Sequence, residues 1–213
     1  MAHSSSVTSR METNRIKFMK TGYRLFVKRT IDGVSLEEVA KTSKIGVATL
    51  YRYFGSKTDL VVEIFVWKWK KYVDVYIQKH EAVPGMTAVQ KFAAYLDFFM
   101  ELYRDNKDFL RFNQFFNVYM QRAKTKQNQT APFLALTDEF ADYFKKIWEQ
   151  GEKEGTLRTD IPWQKVFLCT MHILLATVTR YAIGLMYQPE EGTDPEEELI
   201  MLRNMLYAKY VKE

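Results

Sequence analysis

The 213-residue sequence has little of the chemistry that most enzymes and metal sites require. It contains one cysteine, Cys169, and three histidines, His3, His80 and His172. No His-x-x-His, Cys-x-x-Cys, glycine-rich phosphate loop or Gly-x-Ser-x-Gly motif is present. We therefore expect no enzyme activity, no metal and no cofactor. The single cysteine excludes an intramolecular disulfide, and its place in the apolar run VFLCTMHILL predicts a buried thiol.

Long uncharged apolar runs are also missing from the sequence. The N-terminal stretch MAHSSSVTSR has no apolar core of signal-peptide length, and elsewhere no segment approaches the ~18 uncharged apolar residues of a spanning helix. We expect a cytoplasmic protein that does not contact a membrane. Residues 1–12 are polar and rich in serine, and they are predicted to form a disordered tail.

The positive charge of the chain is concentrated near the N-terminus. The formal net charge is +5, and residues 1–60 carry 11 Lys and Arg against 5 Asp and Glu. The remaining residues are nearly balanced, with 20 Lys and Arg against 21 Asp and Glu. Such asymmetry is typical of a segment that binds a polyanion, although a solvated basic face gives the same pattern.

Helical spacing and turn residues in the first third predict three helices. Apolar side chains over 15–28 recur at i, i+3 and i+4 intervals, which describes one buried face of a helix. Ser35 to Glu38 has the pattern of a capping box, in which Ser35 caps a short second helix and Glu38 reaches back. The stretch 47–54 has room for two further turns. Two short helices after a longer one predict a helix-turn-helix domain over 13–57.

The remainder of the chain, 58–213, shows helical segments separated by short breakers and no alternating strand pattern. A long helix is predicted from Lys57 to about Gln78. We therefore predict an all-α fold of about nine helices, with an N-terminal three-helix domain followed by a larger helical domain.

The segment KIGVATLYRYFGSK crowds aromatic and cationic side chains into a few helical turns. A helix that enters the major groove of DNA needs small or polar residues at its N-terminal end, because bulky side chains would hold its backbone away from the bases. Residues 46–49 satisfy this requirement. Leu50 and either Tyr53 or Phe54 can pack inward on the first helix.

The same segment also contains side chains that can bind the phosphates of the DNA backbone. Tyr51 and Arg52 are predicted to project outward, where a phenol and a guanidinium can bind phosphate oxygens. Lys57 falls in the first turn of the next helix, where its charge adds to the positive end of the helix dipole. The alternative is that YRYF forms the core of a small domain and that Lys57 is a solvated charge.

The stretch VSLEEVAKTSKIGVATLYRYFGSKTDLVVEIF resembles the DNA-binding domain of tetracycline-repressor (TetR) family transcription regulators. The resemblance covers about residues 15–65, and its most specific part is Thr-Leu-Tyr-x-Tyr-Phe followed by a small residue, Ser and Lys. It implies a homodimer that binds a palindromic operator and releases it when a small molecule occupies a C-terminal effector-binding and dimerisation domain, here 58–213. The two recognition helices of such a dimer lie about 34–40 Å apart.

The resemblance also implies roles for single residues. Val47, Ala48 and Thr49 would lie near bases, whereas Ser35 and Thr42 would approach the DNA backbone. Three positions depart from the family pattern, because Thr30 and Lys44 stand where glycine is usual and Gly46 stands where Ser or Thr is common. The complete set of expected DNA-binding residues is Ser35, Thr42, Lys44, Gly46, Val47, Ala48, Thr49, Tyr51, Arg52 and Lys57.

The C-terminal region is rich in aromatic residues, which are either core or the lining of an apolar effector site. Asn113 and Asn117 lie one turn apart among them, and a buried amide needs a partner that is either a neighbouring helix or a ligand. His172 is either a hydrogen-bonded core residue or a ligand contact. The expected effector-binding residues are Phe99, Phe112, Asn113, Phe116, Asn117, Trp148 and His172.

Apolar stripes on the last two predicted helices indicate a protein partner. The resemblance implies that this partner is a second copy of the chain, bound through a four-helix interface. The expected interface residues are Trp163, Phe167, Leu174, Tyr181, Leu199, Leu202 and Leu206.

These observations predict a sequence-specific DNA-binding regulator, in the role of a repressor, that a small and mainly apolar effector releases from its operator. The partners expected are double-stranded DNA, a second copy of the chain and an effector. The alternative is an all-helical adaptor or scaffold with non-specific DNA affinity and no effector.

Overall fold

A computed structural model describes the backbone of residues 2–123, 125–184 and 194–212, with side chains from Arg10 onward. The described residues form nine α-helices and no strand, so the predicted all-α fold is confirmed. An isolated antiparallel bridge joins Leu157 to Val211. The helices are α1 (Ala2–Arg29), α2 (Leu36–Ser43), α3 (Val47–Tyr53), α4 (Lys57–Glu81), α5 (Ala88–Asp105), α6 (Lys107–Arg122), α7 (Gln127–Glu154), α8 (Trp163–Ile183) and α9 (Pro195–Tyr210).

Helix α1 begins at Ala2, where the sequence predicted a disordered tail over 1–12. Met1 lies outside the described residues. The stretch 2–12 contains no proline or glycine, and adding a residue to an existing helix costs far less than nucleating a new one. The helical turns around Phe18 can therefore continue toward the N-terminus without an apolar face of their own.

The chain forms two compact units. The first unit comprises residues 1–69 and 112–134, and the second comprises 70–111 and 135–213. The first unit extends beyond the expected helix-turn-helix segment 13–57, because it includes the start of α4 and the connection from α6 to α7. In this unit α1, α2 and α3 contact one another around fully buried Phe18, Phe26 and Leu50.

The second unit has an aromatic core in which α5 contacts both α8 and α9. Tyr95 of α5 is fully buried, and its ring lies 4.7 Å from that of Phe144 and 5.8 Å from that of Phe140. The Tyr95 hydroxyl bonds Thr170 Oγ1 of α8 at 3.0 Å, which satisfies a polar group that burial would otherwise make costly. Burial raises the pKa of Tyr95 above its ordinary value, so the phenol stays neutral.

The N-terminal cap of α2 confirms one part of the capping box that the sequence predicts and not the other. The Ser35 hydroxyl accepts a bond from the Glu38 amide at 3.1 Å, as a cap of α2 should. The predicted return contact from Glu38 is wrong, because the Glu38 carboxylate instead accepts a bond from Arg29 at the end of α1. An ionised guanidinium is a stronger partner for a carboxylate than a backbone amide is.

The turn between α1 and α2 requires close backbone packing. Thr30 has a φ of 63°, a conformation that is unfavourable for a β-branched residue. At Gly33, an added Cβ would lie 2.4 Å from the backbone oxygen of Arg29. The clash would be with a helix carbonyl, which cannot turn away as a side chain could.

We therefore expect Gly33→Ala to lower the free energy of unfolding by about 2 kcal/mol. Gly46→Ala is the matched control, because a Cβ at Gly46 meets nothing nearer than 4.0 Å and its effect should stay within about 1 kcal/mol. Urea unfolding followed by circular dichroism measures both. Equal stability of the two variants would show that the turn relaxes around the added methyl group.

Candidate nucleic-acid interface

Helix α3 has one buried side and one exposed side. Leu50 is fully buried, and Phe54, which follows the last turn, is 1% exposed. Leu50 packs inward as the sequence predicted, and of the two alternatives Tyr53 and Phe54 it is Phe54 that is buried. The Phe18 ring of α1 contacts the Phe54 ring edge-on at 6.4 Å. The N-terminal end of α3 points to solvent, since Val47 is 40% exposed and Ala48 is also exposed. This end therefore presents small side chains that could approach base edges.

Tyr51 is exposed as predicted, but its hydroxyl already has a partner. It donates to a carboxylate oxygen of Glu37 on α2 at 3.0 Å. This bond is the largest cause of a raised pKa for Tyr51, while the pKa of Glu37 is lowered by its own backbone amide and by Tyr51. Glu37 was absent from the expected site, because a carboxylate on the second helix gives no sign in the sequence of reaching the third.

The two expected phosphate-binding cations differ in their surroundings. Arg52 is exposed and lies over the Tyr53 ring at 5.8 Å. Lys57 begins α4 as predicted, but it is only partly exposed and its Nζ lies 5.9 Å from the centre of the Tyr119 ring. Burial lowers the pKa of Lys57, and the charge of Asp32 opposes that shift. Arg52 is the more accessible of the two charges.

The remaining expected contacts lie at the end of α2, in its connection to α3 and in α3 itself. Thr42, Lys44 and Gly46 are exposed. Lys44 ends α2 in a left-handed conformation, with φ 55° and ψ 38°, and its amide donates to the backbone oxygens of Ala40 and Lys41. Gly46 provides no side-chain cap for α3, as expected from its lack of a hydroxyl. Thr49 is half-buried.

The expected effector residues are divided between the two units. Phe99 and Trp148 lie in the core of the second unit, and His172 is exposed on α8 rather than buried. Phe112 and Asn113 are buried in the first unit. Two of the set, Phe116 and Asn117, line an open cleft of about 770 Å³ between the end of α6 and the start of α7, which we call the α6–α7 cleft.

Of the residues expected at the dimer interface on α8 and α9, some are buried in the single chain and the others are half-buried. Phe167, Leu174 and Leu199 are buried inside the second unit of the single chain, so their side chains do not reach its surface, and their place in a dimer interface stays a prediction. Helical periodicity separates one face from the other but does not show which one turns inward. The large apolar side chains left at least 38% exposed on α8 and α9 are Leu168, Ile173, Ile183, Ile200, Met201 and Met205.

Helix α8 carries apolar side chains on its exposed side as well as on its buried side. Among the described residues it is the one helix long and apolar enough to cross a membrane, although 39% of its most apolar window is buried in the protein. Cys169 lies on its exposed side, which corrects the prediction of a buried thiol. The described residues contain no group of three side chains suited to a metal ion.

Comparison with known proteins identifies similar regulators. A family model described as bacterial regulatory proteins, tetR family, matches residues 18–64. An HTH-type transcriptional regulator of Staphylococcus aureus is 27% identical over 139 residues, which span 62% of this chain and 68% of that protein.

Two solved structures share the fold. A TetR family transcription regulator from Marinobacter aquaeolei has a TM-score of 0.66 at 18% identity, over 97% of this chain and all of its own. The regulator FadR from Bacillus subtilis, solved with stearoyl-CoA, has a TM-score of 0.71 at 14% identity, over 91% of this chain and 97% of its own.

The left-handed conformation of Lys44 leads to a stability prediction. Lys44→Gly should raise the free energy of unfolding by about 0.5–1 kcal/mol, because glycine adopts positive φ without a Cβ clash. Lys41→Gly, three residues earlier inside α2, should lower it by about 1 kcal/mol. Thermal or urea unfolding of the two variants distinguishes these opposite signs. If Lys44→Gly lowered the free energy of unfolding, the left-handed conformation of Lys44 could not be a source of strain.

Proposed function

Because the chain belongs to the tetR family of bacterial regulatory proteins, we propose that it is a cytoplasmic repressor that binds a palindromic operator as a homodimer and is released by a small, mainly apolar effector. The observation that carries the proposal is the division of α3, whose Leu50 is buried while Val47, Ala48 and Tyr51 face solvent. A recognition helix needs this arrangement, because its buried side fixes it to the domain and its other side reads the major groove.

The roles proposed for the exposed groups follow from their chemistry. Val47, Ala48 and Thr49 contact bases, where the small side chains let the helix approach and Thr49 can donate or accept a hydrogen bond. Arg52 and Tyr51 bind phosphates and set the position of α3 without reading sequence. For Tyr51 to donate to a phosphate, its hydroxyl must leave Glu37, whose negative charge disfavours an approaching phosphate.

The proposed dimer uses the outward faces of α8 and α9. These faces expose Ile173 on one helix and Met201 and Met205 on the other, which are 38%, 65% and 64% exposed in a single chain. Helices α8 and α9 contact each other, and exposed apolar side chains on two neighbouring helices are typical of a binding surface. A two-fold axis would pair the same patch from both copies.

The proposal of an apolar effector agrees with the ligand of one regulator that has the same fold. Stearoyl-CoA is the ligand of the Bacillus subtilis regulator, and its acyl chain is long and apolar. We propose an effector of apolar character for the present chain, which binds preferentially to a state of the protein that does not fit the operator. No catalytic step and no cofactor form part of the proposal.

Selection of bound duplexes from random DNA by the purified full-length chain, at near-physiological salt, tests the proposal. Recovery of one motif with two inverted half-sites supports a dimeric regulator. Recovery of random duplexes would instead favour the adaptor with general DNA affinity and would reject the repressor role.

The recovered operator then tests the residue roles. Arg52→Ala should weaken binding to all duplexes alike and reduce the dependence of log affinity on log salt by about two units per dimer, because one phosphate contact is lost in each subunit. Thr49→Val should change affinity unequally between the operator and single-base variants of it. Fluorescence anisotropy at several salt concentrations measures both effects.

Lys146→Ala serves as the matched control, since Lys146 is an exposed cation of the second unit and should leave affinity and salt dependence unchanged. If Arg52→Ala behaved like this control, the phosphate assignment would be rejected.

The dimer surface gives a separate prediction. Met205→Glu should convert a dimer to monomers at micromolar concentration, because each interface would then bury two unpaired carboxylates. Val75→Glu is the control, because Val75 is 58% exposed but lies on α4, which is not part of the proposed surface. Sedimentation equilibrium distinguishes the two. A Met205→Glu variant that stayed dimeric while Val75→Glu dissociated would move the interface to α4.

A further inference from the structure

The α6–α7 cleft has the size and the lining of a small-molecule site. Its volume of about 770 Å³ lies within the range of ligand pockets, which is roughly 300–1,000 Å³. The side chains of Gln114, Asn117 and Gln121 supply amide donors and acceptors on the α6 side. None of the described lining residues carries a charge, so the cleft offers nothing to neutralise a phosphate or a carboxylate.

The apolar part of the cleft is continuous with the start of α4. Phe116 and Phe133 both line the cleft, and their rings lie 5.8 Å apart. The ring of Phe65, on α4, stacks on Phe116 at 4.2 Å and meets the edge of Phe133 at 5.4 Å. A molecule that moved Phe133 would therefore disturb a contact made by α4.

Beside the cleft, Gln129 on α7 binds the first turn of α4. Its Nε2 donates to Asp59 Oδ1 at 2.8 Å and to Ser56 Oγ at 3.2 Å, and its Oε1 accepts a bond from the Lys126 amide at 3.0 Å. Ser56 in turn donates to Asp59 Oδ2 at 2.8 Å and accepts from the Asp59 amide at 3.2 Å. Ser56 and Asp59 come shortly after α3 in the chain, so their bonds to Gln129 connect α7 to the turn that follows α3.

Proline gives the start of α7 some independence from the rest of the helix. Pro132 lies inside α7 and has no amide hydrogen, so the helical bond to the Asn128 carbonyl is missing. The turn that carries Gln129 precedes this break, while Phe133 follows it. Displacement of the first turn of α7 consequently breaks fewer backbone bonds than in an uninterrupted helix.

We propose that the α6–α7 cleft binds a neutral molecule with an apolar body and hydrogen-bonding groups, and that Gln129 transmits its presence to α3. Occupancy moves the first turn of α7, the bonds from Gln129 to Asp59 and Ser56 are lost, and the turn that follows α3 loosens. The inference rests on the proposed function, because it assigns the effector site and its regulatory route.

The binding step is tested with N-phenyl-1-naphthylamine, a neutral dye that fluoresces in apolar surroundings. Leu134→Lys should weaken dye binding to the full-length chain about tenfold or more, because a charge would enter the cleft at a position that is already 53% exposed. Val75→Lys is the control, since Val75 lines a smaller groove of about 260 Å³ between α4 and α5. No saturable binding to the wild-type chain, or loss in the control alone, overturns the site.

The transmission step is tested by hydrogen exchange of backbone amides over 57–62. Gln129→Ala should speed their exchange about tenfold, because Asp59 loses a charge-assisted bond. Asn128→Ala, a change of an exposed neighbouring amide, should leave exchange at the wild-type rate. Saturating dye should speed exchange in the wild-type chain and add nothing in Gln129→Ala. An equal acceleration by the dye in both chains, or a slowing, overturns the route through Gln129.

Neither measurement uses DNA, so the inference and the proposed function can fail separately. If the selection recovers no motif while dye binding and exchange behave as expected, the cleft and its route stand and the repressor role is rejected. If a motif is recovered, saturating dye should lower operator affinity about tenfold in the wild-type chain and leave that of Gln129→Ala unchanged. Equal loss in both chains contradicts the inference and leaves the operator-binding function intact.

Discussion

The attachment of α3 to α1 is the constraint on which the DNA-binding surface depends. A helix of seven residues can bury only one side, and here that side is Leu50 with Phe54 just beyond the last turn. Phe18 meets the Phe54 ring from α1, and the Arg15 guanidinium lies 5.5 Å from the centre of the same ring. Arg15 also forms an ion pair with Glu63 of α4. Burial of one side fixes which side chains of α3 remain free to approach DNA.

The first turn of α4 joins this surface to later parts of the chain. Thr58 bonds the Tyr119 hydroxyl of α6 at 3.0 Å, and Asp59 accepts a bond from Gln129 of α7 at 2.8 Å. The position of α3 therefore depends on residues more than sixty positions further along the sequence. Polar contacts suit such a connection, because a hydrogen bond is lost over a short displacement whereas apolar packing weakens gradually.

The outward faces of α8 and α9 illustrate a limit of sequence patterns. Both helices have apolar residues on more than one side, because one side enters the core and another remains exposed. Periodicity identified the helices but selected Phe167 and Leu199, which lie inside, over Met201 and Met205, which lie outside. The same ambiguity placed Cys169 in the core, whereas it lies on the exposed side of α8, which also carries apolar residues such as Leu168 and Ile173.

Local sequence determined the helical segments of the all-α fold, the Ser35 cap of α2 and the inward face of α3 at Leu50. The first two depend on residues close in the chain and the third on helical periodicity, so propensity, capping and periodicity suffice to predict them. Only the tertiary structure decided that Tyr51 bonds Glu37 and that Gln129 reaches Asp59. It also decided which apolar faces stay exposed, because packing of distant helices has no signature in the local order of residues.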